Sequence, residues 1–229
     1  DHAWGYEPCT IAQIRAYKPQ SSSLGCGQVL PCPYTAGKAR IVVQEMIDGI
    51  SLELVEKRLV TDQLVLTVGY DIENLTRPEI RKVYKGPVTT DRYGRRVPKH
   101  AHGTWNLPHA TSSSSELLEA MAALYDKIVN PALLIRRMSL SACHVVNEKM
   151  AKEREQKETF EQLDLFTDYA KKEAKEKEEQ KKRERERRMQ EALLTIKKKY
   201  GKNAVLRGMN FEEGATAKER NGQIGGHQA

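Results

Sequence analysis

The chain has 229 residues, 39% hydrophobic and 30% charged, with a net charge of +7. That length holds one medium domain with accessory segments. No run of about 18 apolar residues is present to span a bilayer, and the basic excess favours an anionic partner, nucleic acid before membrane.

Residues 1–20 read as the tail of something else, with Tyr17-Lys18-Pro19-Gln20 as an extended lead-in. The chain opens on Asp1 with no signal peptide, so an excised piece of a longer cytoplasmic protein is expected. Ser23 to Leu30 predicts a strand that Pro31 and Pro33 end. Thr35 is placed to cap a helix whose apolar stripe runs through Ala39, Val42, Val43, Met46, Ile47, Ile50, Leu54 and Val55, with Gly49 its weak point. Gln63 to Asp71 alternates as a half-buried strand. Residues 72–98 read as a long loop or ribbon, and Lys99 to Leu107 resumes as a strand. Ser113 and Glu116 form a capping-box pattern before a helix with Leu117, Met121, Leu124, Tyr125 and Ile128 on one face, stopped at Asn130-Pro131. Leu133 to Val146 closes the set, with Leu134, Met138, Leu140, Ala142 and Val146 on one face and Arg137, Ser139, Ser141 and Cys143 on the other. The order β-α-β-β-α-β predicts an α+β fold: a four-stranded antiparallel sheet, both helices on one face and the other face open.

Beyond residue 150 the composition changes to Lys, Glu, Arg and Gln, so the core is expected from roughly the first 150 residues. Seventeen of the 21 residues at 171–191 are charged, which predicts a solvent-exposed spacer helix supported by i,i+4 pairs. A short amphipathic return follows at 192–196. The expected divisions are 1–20, a domain at 21–150, a linker at 151–170, the charged helix at 171–200 and a tail at 201–229.

The strongest charge signal inside the domain lies at 77–99. Arg77, Arg81, Lys82, Lys85, Arg92, Arg95, Arg96 and Lys99 meet only Glu79 and Asp91 there. Such density suits phosphate contact. Arg136 and Arg137 are further candidates, and strand alternation puts Arg137 on the open face. His100, His102 and His109 read as polar surface histidines rather than metal ligands, and Cys9, Cys26, Cys32 and Cys143 as reduced thiols without zinc-like pairing. The sequence shows no Gly-rich phosphate loop, nucleophile elbow or acidic pair in an apolar strand, so no catalytic residue, metal or cofactor is expected in this chain, nor a small-molecule substrate. Gln162-Leu163-Asp164-Leu165-Phe166 is an island of three large apolar residues in a polar segment, which needs a pocket on this protein or another.

Tyr17-Lys18-Pro19 leading to Ser22-Ser23-Leu24-Gly25, the helix with Met46, and the strand ending Val68-Gly69-Tyr70-Asp71 resemble the C-terminal half of bacterial Y-family translesion DNA polymerases of the UmuC/ImpB/MucB/SamB-like group. So do His102-Gly103-Thr104, the strand with Arg136-Arg137, and the ending Lys218-Glu219-Arg220-Asn221 to Ile224-Gly225-Gly226-His227. The resemblance implies that residues 1–16 end the thumb, that about 22–148 form the little finger, which grips primer-template DNA, and that Gln162–Phe166 is a pentapeptide for the β sliding clamp. The catalytic carboxylates and their Mg²⁺ would then belong to a palm domain that this chain lacks, and the chain alone would not extend a primer. It also implies a place in DNA repair and the SOS response to DNA damage. The long basic insert at 72–98 departs from the pattern. Two other readings stay open: an RNA-recognition-like module, which needs aromatics on the central strands of the open face, where only Trp105 is near, and a structural adaptor acting through the charged helix.

Overall fold

Alternation along β2 (Leu59–Tyr70) buries Leu64, Leu66 and Val68 completely and leaves Val65 and Thr67 partly exposed. A strand with one apolar side needs partners on that side only. They are α2 (Ala36–Lys57), which follows the short α1 (Ile11–Ala16) in the chain, and α5 (Ser114–Ile128), and the two share one face of the sheet. The computed structural model describes residues 5, 8–17, 22–91, 93–158, 169–224, 227 and 228.

The sheet is antiparallel throughout. Its order is β1 (Leu24–Tyr34), β6 (Ile135–Cys143), β2, β5 (Ala101–Thr111), with β7 (Val146–Asn147) pairing the start of β2. The fold class is therefore the α+β arrangement expected, with the last strand inserted between the first and second. Three local expectations are corrected. Pro31 and Pro33 do not end β1, because β1 is an edge strand whose outer N–H groups need no partner; the register instead shifts between Val29 and Tyr34. Thr35 is the N-cap of α2 by backbone conformation, yet its side chain makes no cap hydrogen bond. Residues 72–98 are structured: α3 (Glu73–Thr76), α4 (Pro78–Val83) and a hairpin of β3 (Val88–Thr90) with β4 (Arg96–Pro98).

The insert is tied to the sheet by one buried side chain. Asn74 donates from Nδ2 to the carbonyls of Asp71 and Leu134, both at 2.8 Å, and accepts the Leu134 N–H at 2.7 Å. Ile80 and Tyr84 then pack against the edge of the core. Removing it leaves the buried Leu134 N–H without its acceptor, while the two carbonyls keep only the backbone N–H groups of Asn74 and Asp71. Asn74→Ala is expected to lower stability by about 2–3 kcal/mol, read as a shift in the urea midpoint; a change below about 0.5 kcal/mol would mean that the insert is held by its apolar contacts alone.

The segment after residue 150 adds a third layer. α6 (Glu148–Glu158) follows β7, and the 32-residue α7 (Tyr169–Tyr200) runs back across the helical layer. Residues 180–185 of α7 are exposed, as a solvated helix requires, but Gln190 is buried. Its amide donates to the Ser112 carbonyl at 3.0 Å and to Ser114 Oγ at 2.8 Å, and Ser114 Oγ lies 2.7 Å from Ser51 Oγ on α2. A 3-10 turn (Gly208–Phe211), α8 (Ala217–Arg220) and the short pair β8 (Gln223–Ile224) and β9 (His227–Gln228) follow. The outer side of α2 is thus covered by polar contacts. Buried Glu45 accepts from Asn210 Nδ2 (2.7 Å) and from the backbone N–H groups of Thr216 (2.8 Å) and Ala217 (3.0 Å), while Asp48 meets Arg207 at 2.7 Å. Burial raises the Asp48 carboxyl above the usual range, and the Arg207 charge offsets part of that.

The capping box expected at Ser113 is only half formed. Ser113 Oγ accepts the Glu116 N–H, but the Glu116 side chain turns to His109 (3.1 Å) and to Arg183 of α7 (3.2 Å). The Ser113 N–H is taken instead by Thr111 Oγ1 at 3.0 Å, and Glu186 of α7 accepts the Ser115 N–H at 2.8 Å and the hydroxyls of Ser113 and Ser115 at 2.7 and 2.9 Å. A carboxylate from another helix therefore complements the positive end of α5. The His109 hydrogen bond, with help from Thr111 and Arg183, holds Glu116 down to about 2 from its ordinary 4.5. A depressed carboxyl contributes stability above its unfolded value and loses it as pH falls toward its folded value. The Glu116 side chain is 28% exposed, so screening cuts the contribution to about 1–2 kcal/mol. Urea titrations should show that amount disappearing between pH 4.5 and 2, and Glu116→Gln should lack this component; an identical pH profile for the two proteins would refute the assignment.

Candidate nucleic-acid interface

The face of the sheet away from α2 and α5 is lined largely by Gly, Ser and Thr in aligned rows, with Val29, Val65 and His102 among them. One row crosses all four strands: Gly27 beside Ser139, Ser139 beside Thr67, Thr67 beside His102. The next runs Gly25, Ser141, Val65, Thr104. Two of the glycines are required by close approach. A Cβ on Gly25 would lie 2.8 Å from Ser141 Oγ, and one on Gly69 would lie 2.6 Å from Arg137 Cγ. Arg137 thus lies across the space that Gly69 leaves free, exposed on the open face as strand alternation predicts. Four strands at about 4.8 Å spacing make this a shallow platform roughly 14 Å across. Hydroxyls and backbone are accessible on it, with one guanidinium near its end.

Arg136 does not share that face. Ile135 and Arg137 pair with the consecutive residues Tyr70 and Gly69, so Arg136 is the extra residue of a β-bulge. The bulge keeps Ile135 and Met138 both buried and turns Arg136 to the Pro31 carbonyl (3.2 Å) and Asp71 (3.8 Å). Arg136 is therefore committed to structure.

The cations of the insert divide in the same way. Arg77 pairs with Glu73, and Arg95 pairs with Asp91 while lying over the Tyr93 ring at 5.1 Å. Asp91 also accepts the N–H groups of Tyr93 and Arg95, which shapes the tip of the hairpin and keeps its carboxyl below the usual range. Arg81, Lys82, Lys85, Arg96 and Lys99 are exposed and form no ion pair among the described residues. Arg92 lies outside the described residues, as does the whole pentapeptide Gln162–Phe166. The insert joins the Tyr70 end of β2 to Ala101 of β5, so its cations gather at the end of the sheet that carries Arg137.

The histidines have separate partners. His102 Nδ1 meets Thr67 Oγ1 at 2.9 Å, His109 meets Glu116, and His100 is exposed before β5 begins. Among the described residues no group of three or more His, Cys, Asp or Glu side chains is arranged to hold a metal ion. All four cysteines are free thiols, and burial raises Cys26. Trp105 packs against the core beside Leu64, on the helix side of the sheet. The residues on the open face that the sequence pattern did not single out are Gly25, Gly27, Gly69, Thr67 and Thr104; glycine at alternate positions of β1 was the available signal for the first two.

No helix among the described residues is long and apolar enough to cross a membrane. No family model and no curated protein matches the chain. A solved complex of a beta-clamp processivity factor and the little finger domain of PolIV is similar to this chain at a TM-score of 0.33 and 8% sequence identity, over 64% of this chain and 100% of that chain.

Proposed function

We propose that this chain is a DNA-binding module that grips the duplex backbone without reading sequence, and that Gln162–Phe166 docks it to a β sliding clamp, as in the C-terminal part of a Y-family translesion polymerase. The observation that carries the DNA reading is the platform of Gly, Ser and Thr rows that ends at Arg137 between Val29 and Gly69, with Arg81, Lys82, Lys85, Arg96 and Lys99 exposed and free of ion pairs among the described residues at the same end. Glycine and hydroxyl rows let a phosphate backbone approach closely, and unpaired cations release counterions when they meet it. The clamp reading rests on the sequence of the pentapeptide and its position after the domain. In that arrangement the clamp tether raises local concentration at the primer terminus and the domain adds grip. No residue of the chain is assigned a catalytic role, and the metal-dependent chemistry is assigned to a domain outside this chain.

Fluorescence anisotropy of the full chain on two duplexes of unrelated sequence tests the DNA reading. With three to five phosphate contacts, log K should fall against log salt with a slope of roughly −3 to −5, equally for both duplexes. A slope near zero, or strong preference for one sequence, would sink it. Calorimetry with a peptide of residues 158–170 against purified β clamp tests the second part. Leu165→Ala with Phe166→Ala should cost more than about 2 kcal/mol, some thirtyfold in affinity, and Asp164→Ala should cost little. Equal binding by the parent and the double variant would reject clamp docking. An RNA-stacking module loses support because Trp105 faces the core and the described open face presents no Phe, Tyr or Trp ring, only the His102 imidazole, which is held by Thr67. An adaptor would bind partners without salt dependence and would lack DNA affinity.

A further inference from the structure

The inward face of α7 is fixed by Arg183, Glu186, Arg187 and Gln190, all bonded to residues of the domain. A different edge of the same helix carries Met189, Leu193, Ile196 and Tyr200. At 3.6 residues per turn these four fall within about 60° of one another over roughly 16 Å. Met189 is 52% exposed, Ile196 37% and Tyr200 66%, and Leu193 is half-buried. Three large apolar side chains in line on an outer helix edge, in a segment otherwise so polar, form a stripe that water does not favour. Along the solvent-side border of that stripe the same helical spacing places Lys181, Arg185, Arg188 and Lys199. All four are exposed and form no ion pair among the described residues; Lys199 lies over the Tyr200 ring at 5.2 Å. Glu184 and Glu191 lie on the far side of the helix, and Glu191 is held by Arg187.

We infer that this edge of α7 is a docking surface for an acidic amphipathic helix of another protein. An apolar seam three turns long with a one-signed border is the complement of a helix that carries apolar residues at heptad spacing and carboxylates beside them. Lipid is disfavoured as the occupant, because the stripe is narrow and one of its sides is walled by the chain's own domain, where interfacial helices need a broad apolar face. DNA is disfavoured because an apolar seam adds nothing to phosphate contact. The surface is separate from the sheet platform, so the chain could hold DNA and this helix together.

The test uses the full chain and a labelled three-heptad peptide with Leu at a and d and Glu at e and g, against the same peptide with Lys at e and g. The Glu peptide should bind and the Lys peptide should bind at least tenfold more weakly. Met189→Glu with Ile196→Glu should reduce binding of the Glu peptide at least tenfold while the thermal midpoint stays unchanged, since both side chains are exposed. Arg185→Glu with Lys199→Glu should reduce it too, and should narrow the gap between the two peptides. No binding of the Glu peptide, or equal binding of both peptides, overturns the inference. So does sedimentation showing a dimer that Ile196→Glu dissolves, which assigns the seam to a second copy. Binding to vesicles of phosphatidylcholine and phosphatidylglycerol that Ile196→Glu abolishes overturns it in favour of lipid.

Discussion

Changing Arg81, Lys82, Lys85 and Arg96 together to Glu should weaken duplex binding at least a hundredfold at about 0.1 M salt. Each phosphate neutralised by a cation contributes roughly a factor of eight at that salt through counterion release, so even three lost contacts reach that size before any repulsion from the new carboxylates. Non-specific affinities start near 10⁻⁴–10⁻⁶ M, and the variant should show no measurable binding in an anisotropy titration. The four side chains are exposed and unpaired among the described residues, so the change should leave the thermal midpoint within a few degrees. Arg77→Ala supplies the contrast. Arg77 is already engaged by Glu73 at 2.5 Å, so a phosphate must compete for it, and its loss should cost less than about threefold. If the quadruple variant binds as the parent does, the insert is a solvated projection and the grip must come from the sheet platform. Arg137→Glu would then carry the effect.

The division between free and committed cations marks the limit of what the sequence shows. Local charge counting places eight basic residues at 77–99 but cannot tell that Glu73, just outside that window, removes Arg77, or that the hairpin brings Asp91 back onto Arg95. The alternation of β2 and β6 is strong enough to assign Arg137 to the open face, because Met138, Leu140 and Ala142 fix the other side. The bulge at Arg136 escapes that logic, since one extra residue leaves no mark in the hydrophobic pattern. Topology is legible for a similar reason: two amphipathic helices and four strands in that order have few ways to bury their apolar sides.

The outer side of α2 is the converse case. Glu45, Asp48 and Ser51 are polar residues on a helix whose apolar stripe faces the sheet, and polar residues there ordinarily meet water. In this chain they meet other polar residues, 63 to 172 positions later, and Glu45 and Ser51 become buried. Docking by hydrogen bonds carries no periodicity, so a segment rich in Lys and Glu reads as a spacer while its later half forms a layer of the fold. The layer over the outer side of α2 is fastened by matched donors and acceptors, which are satisfied only in one arrangement.

Glu45 is the test of that layer, and Glu45→Ala should release the tail while the sheet stays folded. The carboxylate accepts from two consecutive backbone N–H groups at the start of α8, from the Thr216 hydroxyl at 3.2 Å and from Asn210. Hydrogen bonds to a charged group contribute about 1.5–3 kcal/mol each, and the donors left behind are buried. The loss exceeds what Lys38–Glu213, an exposed pair, can hold. Hydrogen exchange at Thr216 and Ala217 should therefore speed up at least a hundredfold, equivalent to about 2.7 kcal/mol. Leu66, Val68 and Leu140 should keep most of their protection, because their burial against α2 and α5 does not depend on the tail. Glu45→Gln should fall between, since one carbonyl oxygen can still accept but the charge is gone. Two results would contradict this account. Unchanged exchange at Thr216 and Ala217 would mean that Arg207–Asp48 and Gln190 hold the layer without Glu45. An equal rise in exchange at Leu66 and Leu140 would mean that the tail is part of the same cooperative unit as the sheet, and that the core of the domain is not complete without residues 190–224.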